Sequence, residues 1–215
     1  YIRQSGKTNQ DLCEKVILII GIYGALRLSE IAYLDFKDIR KDGPNFMILI
    51  RQSKTDQAGI GSEFAISPLS SYDICPVTLL ISYLNLFPIK QGRLFRKMNK
   101  LDQPTQQVLG INKIATLPKK VADFLGLTGD YSGHCFRRSA ATIIADSGAS
   151  MLQIKRLGRW QSSSVAESYI SQSKSSKLEI SSMFGKNGEN HSSAVDMPQF
   201  QSCTFNNSII NININ

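Results

Sequence analysis

The chain has 215 residues, of which 42% are hydrophobic and 20% are charged, and its formal net charge is +8 at pH 7. This length predicts one substantial domain with its own core, and no apolar run approaches the roughly 20 residues that cross a bilayer, so we expect no membrane partner. The 4 cysteines are scattered without C-x-x-C spacing, which indicates neither a metal site nor a disulfide framework and favours a reducing compartment. The positive charge favours a polyanionic partner, because cationic side chains release counterions from nucleic acid.

The first predicted element is a helix from Gln10 to about Tyr23, with Thr8 or Asn9 as its N-cap. Its apolar residues recur at helical spacing, which is typical of a core helix. A turn at Gly24 follows, and a short second helix is predicted over residues 28–34.

Arg27 lies in that turn, three residues before Glu30. Two interpretations of the arginine are open. It is either a surface residue paired with Glu30 one helical turn later, or a clamp whose planar guanidinium binds two phosphate oxygens.

Alternating apolar residues predict two strands, over residues 46–51 and 64–67. The polar stretch between them contains Gly59 and Gly61, which is typical of a hairpin tip. Lys54 lies at the beginning of this tip, where a solvated lysine is the ordinary outcome.

A helix is predicted over residues 71–85, with Pro76 near its start. Residues 90–100 are rich in arginine and lysine, and they form either a solvated turn or a contact with a nucleic-acid backbone. Residues 103–107 are polar and predict a loop. Helical spacing returns over residues 108–126, where Pro118 predicts either a break or the first turn of a new helix. The candidate DNA contacts in these segments are Arg93, Arg96, Lys97, Lys100, Lys119 and Lys120.

His134 and Arg137 stand three residues apart at the start of a helix that is predicted to run to about Ser147, with Gly148 as its C-cap. Ala140, Ala141, Ile143 and Ile144 are the residues predicted to bury this helix. Its N-terminal end offers free N–H groups and partial positive charge, which favour a bound phosphate. A second helical segment ends at Gly158-Arg159-Trp160, and Tyr169 follows Trp160 by nine residues.

The pattern H-x-x-R followed by a tryptophan nine residues before a tyrosine resembles the C-terminal boxes of the tyrosine recombinases of the lambda-integrase type. The same family has an upstream arginine box and a hairpin lysine, and here GALRLSE at residues 24–30 and RQSKTDQ at residues 51–57 correspond to them. The forms LGRWQS and KTDQ are most similar to the eukaryotic mobile-element branch, which holds the Crypton and DIRS-like recombinases. Arg159 separates Gly158 from Trp160, where the family usually has the two residues adjacent.

The resemblance implies an α+β fold, mainly helical with a small antiparallel β-sheet or hairpin, over residues 1–184. Residues 185–215 are expected to be a polar linker and a tail, and the tail is either a strand used in oligomerisation or a disordered segment. The implied partner is double-stranded DNA, bound by a homo-oligomer that is a tetramer on paired sites, in the nucleus for a eukaryotic mobile element and otherwise in the cytoplasm. The family's N-terminal helical domain, which closes the clamp around DNA, is not in this sequence, so we expect either a catalytic fragment or weak DNA binding.

The resemblance also assigns roles to the site residues. Tyr169 would attack a DNA phosphodiester to form a 3′-phosphotyrosyl link, while Lys54 protonates the leaving 5′ oxygen. His134 would assist as a base or donor, Trp160 would donate from its indole N–H, and Glu30 would orient the site. Arg27 and Arg137 would stabilise the phosphoryl oxygens, so the chemistry requires neither a metal nor a nucleotide cofactor. Arg159 joins the candidate DNA contacts.

Two alternatives from other classes stay open. One is a domesticated DNA-binding protein without catalysis, and the other is a type IB topoisomerase, which shares the chemistry without assembling paired sites.

Overall fold

The computed structural model describes residues 1–51, 61–170, 177, 178, 180–183, 203–205 and 208–210. The chain divides into two compact units, Tyr1–Ser175 and Ser176–Asn215. The boundary predicted after residue 184 falls inside the second unit.

The first unit is mainly helical. Its α-helices are α1 (Asn9–Tyr23), α2 (Leu28–Ala32), α3 (Pro76–Leu84), α4 (Ile111–Ala115), α5 (Leu117–Phe124), α6 (His134–Asp146), α7 (Met151–Gly158) and α8 (Ser163–Ile170). Its strands are β1 (Ile39–Asp42), β2 (Asn45–Ile50), β3 (Ser62–Ile66), β4 (Arg96–Met98) and β5 (Pro104–Val108). This composition confirms the predicted α+β class.

Helix α1 is the central element of the main core. Thr8, one of the two predicted N-caps, caps it in a capping box with Asp11. Most of its length is buried, and Val16 and Ile20 are fully inaccessible. Because burial of each such side chain contributes about 1.5–3 kcal/mol, this helix anchors the elements that carry the site.

Strands β1, β2 and β3 form an antiparallel sheet in that order. The register pairs Ile48 with Phe64 and Phe46 with Ile66, so the alternate apolar residues of β2 and β3 share the buried face. Both strands were predicted. Strand β1 was not predicted, because its sequence, IRKD, is mostly charged and its order comes from hydrogen bonds to β2.

Strands β4 and β5 form a separate antiparallel hairpin. The loop predicted over residues 103–107 is therefore wrong, since Pro104–Val108 is a strand. Its side chains are polar and mostly exposed, so no apolar alternation marked it in the sequence.

Pro118 lies in the first turn of α5, which is one of the two outcomes predicted for this proline. Near Pro76 the predicted single helix is divided into a 3-10 turn, Tyr72–Ile74, and α3. In α6 the expected burial is met by Ala140 and Ala141, whereas Ile143 is 52% exposed.

In the second unit, Cys203–Phe205 (β6) and Ser208–Ile210 (β7) pair with each other as an antiparallel hairpin, and residues 177, 178 and 180–183 are helical. Among the helices in the described ranges, none is both long and apolar enough to span a membrane.

Candidate active site

Arg137 connects the segment around Arg27 with the segment around Trp160. The residue is 3% exposed, and its guanidinium donates from Nη1 to the carbonyl of Ala25 at 2.8 Å and from Nη2 to the carbonyl of Gly158 at 2.6 Å. Its Cζ also lies 5.0 Å from the ring centroid of Trp160. One side chain of α6 therefore contacts the turn before Arg27 and the end of α7.

The turn that carries Arg27 has an unusual backbone. Ala25 has φ of 45°, in the left-handed region that a residue with a Cβ rarely occupies. Its carbonyl is thereby turned toward α6, where Arg137 donates to it. Arg27 follows as the N-cap of α2, and its side chain is partly exposed, at 28%.

Glu30 holds Arg27 in this place. Its carboxylate accepts from the backbone N–H of Arg27 at 2.8 Å and from Arg27 Nη1 at 2.8 Å. Arg159 Nη2 donates to the same carboxylate at 3.0 Å. Burial acts to raise the pKa of Glu30, but the hydrogen bond from the Arg27 backbone and the charge of Arg159 outweigh it and lower the pKa below its ordinary value.

His134 is the first residue of α6 and is exposed. The preceding residue, Gly133, packs so closely against α2 that a Cβ there would lie 2.3 Å from the side chain of Leu28. Because Leu28 directly follows Arg27, this contact brings the N-terminal end of α6 beside the arginine turn. An imidazole and the positive end of a helix dipole thus lie near the turn that carries Arg27.

Trp160 is buried, at 7% exposed, in a second apolar cluster with Ala141, Ile154 and Ala166. The cluster joins α6, α7 and α8. Trp160 consequently has a packing role, and its ring also forms the surface against which Arg137 lies.

Tyr169 is in α8, one helical turn after the buried Ala166. The side chain of Tyr169 lies outside the described part of the structure, and so does Lys54, within residues 52–60. Their assigned roles stay predictions.

The lysines that are predicted to contact DNA fall into two groups. Lys97 and Lys100 are exposed. Lys119 and Lys120 are about half exposed and pair with Asp123 and Glu14, respectively.

The arginines among these candidates are engaged with other groups of the protein. Arg96 is 7% exposed and donates to the carbonyls of Arg93 and Gln91 and to Gln106. This burial argues against a DNA contact for Arg96. Arg93 itself donates to the carbonyl of Tyr33 at 2.7 Å and pairs with Asp35. Arg159 has a side-chain exposure of 13% and is likewise engaged with Glu30.

Sequence reasoning missed the main-chain carbonyls of Ala25 and Gly158, on which Arg137 is seated. A backbone acceptor has no residue signature. The one signal in the sequence is the glycine at position 158. The structure explains why it is needed, because a Cβ there would lie 2.3 Å from the ring of Trp160.

The assembled groups are suited to a phosphoryl oxyanion. Arg27 adds a second guanidinium, two residues after the Ala25 carbonyl that accepts from Arg137, and His134 offers an exposed imidazole at a helix N-terminus. Fixed donors of this kind stabilise negative charge without reorganisation. The fold and the site together define an α+β domain with a cationic candidate site that suits a phosphate.

Comparison with known proteins shows which family this chain is similar to. The pattern of the Phage integrase family matches residues 3–176. An integrase/recombinase described as a XerD homolog, from Selenomonas ruminantium, is 30% identical over 162 residues, which are 75% of this chain and 48% of the relative. The chain thus spans about half the length of this curated relative.

Two solved structures share the fold. The XerH site-specific recombinase bound to palindromic difH substrate, in a post-cleavage complex, has a TM-score of 0.62 at 19% identity, covering 84% of this chain and 48% of that one. The XerA recombinase has a TM-score of 0.59 at 17% identity, covering 85% and 59%. The chain belongs to the phage integrase family, whose members are tyrosine recombinases, enzymes that break and rejoin DNA.

Proposed function

We propose that this chain cleaves and rejoins DNA strands through a covalent 3′-phosphotyrosyl intermediate at Tyr169, as a site-specific recombinase or integrase. The tyrosine oxygen attacks the scissile phosphorus and the 5′ oxygen leaves, so the phosphodiester energy is kept in the new ester. A 5′ hydroxyl then attacks that ester and releases the tyrosine. No cofactor enters this scheme.

The observation that carries the proposal is the seating of Arg137. Hydrogen bonds from its guanidinium connect the arginine turn at Ala25 with the end of α7 at Gly158. Residues that are more than a hundred positions apart in the sequence are thereby joined around one buried cation. A surface patch that only attracts DNA does not require such a buried arginine, because phosphate contacts are made by solvated side chains.

In the proposed reaction Arg27 and Arg137 stabilise the charge on the nonbridging oxygens. His134 assists proton movement at the nucleophile, and Trp160 donates from its indole N–H while it packs α6 against α7. Lys54 acts as the general acid toward the 5′ oxygen. The ordinary pKa of tyrosine is about 10, so the phenol is mostly protonated at neutral pH. Neighbouring cations favour the phenolate, which is the attacking form.

The proposed substrate is double-stranded DNA, engaged by a homo-oligomer on paired sites. This part rests on relatives: the XerH structure is a complex with its difH substrate, and the Selenomonas ruminantium protein is described as an integrase/recombinase. The forms LGRWQS and KTDQ support the narrower proposal of a eukaryotic mobile element of the Crypton or DIRS-like type, with a nuclear location. The matched relative with a stated organism is bacterial, so this branch rests on the two sequence forms alone.

The direct test is covalent capture on nicked suicide DNA that carries candidate element ends. The protein is incubated with this DNA in the presence of a chelator and separated on a denaturing gel. We expect an adduct with the wild-type protein and none with Tyr169→Phe. Tyr72→Phe is a matched control, because Tyr72 is 76% exposed in the 3-10 turn before α3 and has no proposed role.

An adduct that survives Tyr169→Phe would remove Tyr169 as the nucleophile. Measurable DNA binding without any wild-type adduct would favour the non-catalytic DNA-binding alternative. Where an adduct forms, strand exchange between two paired sites separates a recombinase from a type IB topoisomerase, which relaxes supercoiled DNA without pairing sites.

A further inference from the structure

Arg159 has a backbone conformation that is unfavourable for its residue type. It is the C-cap of α7, with φ of 54° and ψ of 40°, in the left-handed region where glycine is the usual residue. Its Nε is also buried without a hydrogen-bond partner in the described structure. Both features cost stability, so an interaction of the same side chain must offset them.

That offset is the ion pair with Glu30. Arg159 Nη2 donates to Glu30 Oε2 at 3.0 Å, and Nη1 donates to the carbonyl of Gly24 at 2.9 Å. The Arg159 side chain is 13% exposed and the Glu30 side chain is 2% exposed. Since charge pairs with little water around them are screened less than surface pairs, salt weakens this contact between α7 and the arginine turn only slightly.

Each partner of Arg159 is also a partner of a proposed catalytic residue. Glu30 accepts from Arg27 Nη1 at 2.8 Å through its other carboxylate oxygen. The carbonyl of Ala25 accepts from Arg137 at 2.8 Å and, more weakly, from Arg159 at 3.4 Å. Trp160 is the next residue in the chain, so the backbone direction of Arg159 also sets where that indole begins.

We infer that Arg159 is a positioning residue, which fixes Arg27 through Glu30 and orients Trp160 through its own left-handed backbone. This inference rests on the proposed function, because it concerns the geometry of that reaction. It replaces the sequence-based interpretation of Arg159 as a DNA contact. The guanidinium is turned into the protein, and its charge is used by Glu30.

The test compares two quantities for each variant: the affinity for DNA with its salt dependence, and the rate of adduct formation at saturating DNA. Arg159→Gly suits the left-handed backbone and removes the guanidinium. Arg159→Lys keeps the charge but not the planar fork that reaches both Gly24 and Glu30. Arg156→Ala is the matched control, because Arg156 is exposed in the last turn of the same helix. This substitution removes the same charge as Arg159→Gly.

We expect Arg159→Gly to lower the saturated rate by about 100-fold, the loss that a displacement of about 1 Å produces in a reacting group. DNA affinity and its salt dependence should stay at the wild-type level, and the melting temperature should stay well above the assay temperature. Arg159→Lys should recover only part of the rate. Adding Glu30→Gln to Arg159→Gly should cost little more than either change alone, because the two residues act as one unit.

Three results would overturn the inference. One is a wild-type saturated rate combined with weaker binding and a salt slope lower by about 0.9, which marks a phosphate contact. Another is a rate equal to that of Arg156→Ala. The third is a rate loss in both Arg159 variants that follows their folded fraction. A wild-type protein that forms no adduct sinks the proposed function itself, whereas a normal wild-type adduct with an unaffected Arg159→Gly rate sinks only the positioning role.

Discussion

Glu30 is a buried carboxylate that lies between two guanidinium groups, so its charge should matter for stability as well as for the site. We expect Glu30→Gln to lower the free energy of unfolding by roughly 3 kcal/mol at pH 7, because it leaves the enclosed cation of Arg159 without its counter-charge. Chemical denaturation measures this difference. Asp123→Asn is the control: its ion pair with Lys119 is about half exposed on both sides, and such pairs contribute less than about 1 kcal/mol.

The pH dependence of that difference follows from the lowered pKa of Glu30. A carboxyl group whose pKa is lower in the folded than in the unfolded protein contributes stability above the unfolded value, here near 4.5. The contribution is lost as the pH falls through the lower, folded value. The gap between wild type and Glu30→Gln should therefore be constant above about pH 5.5 and shrink below pH 4.5. A gap that persisted unchanged in acid would show that the Glu30 charge is not its source.

At the residue scale, the sequence was enough to propose the site but not the partner of each side chain. Spacing placed His134 and Arg137 on one helix, and the structure keeps them there. The prediction of Arg96 and Arg159 as DNA contacts rests on their charge, and the sequence does not show that both side chains are largely buried. Arg96 donates to the backbone carbonyls of Arg93 and Gln91, which have no residue signature. Arg159 donates to the Gly24 carbonyl and to Glu30, which are distant in the sequence.

At the scale of elements, the last turn of α7 is built around the contact of Gly158 with Trp160. We expect Gly158→Ala to reduce both stability and adduct formation, because the new Cβ would lie 2.3 Å from the indole ring and displace it from Arg137. Alanine inside a helix ordinarily stabilises relative to glycine by about 0.5–1 kcal/mol, so a loss would have the opposite sign. The melting temperature and the adduct rate at saturating DNA check this.

Gly110→Ala is the matched control for that substitution. A Cβ at Gly110 meets nothing within 4 Å, and its φ of −73° is open to any residue. The control should keep the wild-type adduct rate. Equal losses in the two variants would show that the ring contact at Gly158 is not the cause.

The elements that the sequence predicted share one property, which is apolar periodicity. Helix α1 and strands β2 and β3 have it, and each was located to within a few residues. Strands β1 and β5 have polar, mostly exposed side chains, and they become strands through backbone hydrogen bonds to β2 and β4. Pairing of that kind depends on the partner strand, so it could not be predicted from either segment by itself.

At the scale of the whole molecule, the net charge of +8 predicts DNA binding that weakens as salt increases. Lys97 in β4 and Lys100 just after it are both exposed, and neither has an ion pair in the described structure. If both bind phosphates, Lys97→Gln combined with Lys100→Gln should lower the slope of log affinity against log salt by about 1.8, since each neutralised phosphate contributes about 0.9. The adduct rate at saturating DNA should stay unchanged, because neither lysine has a proposed role in the chemistry. Fluorescence anisotropy over a salt series measures the slope.

Lys41→Gln, at an exposed position of β1, is the control for a general loss of charge. A slope that fell equally in the control would assign the effect to the overall field of the protein. An unchanged slope in the double variant would remove this hairpin from the DNA-binding surface.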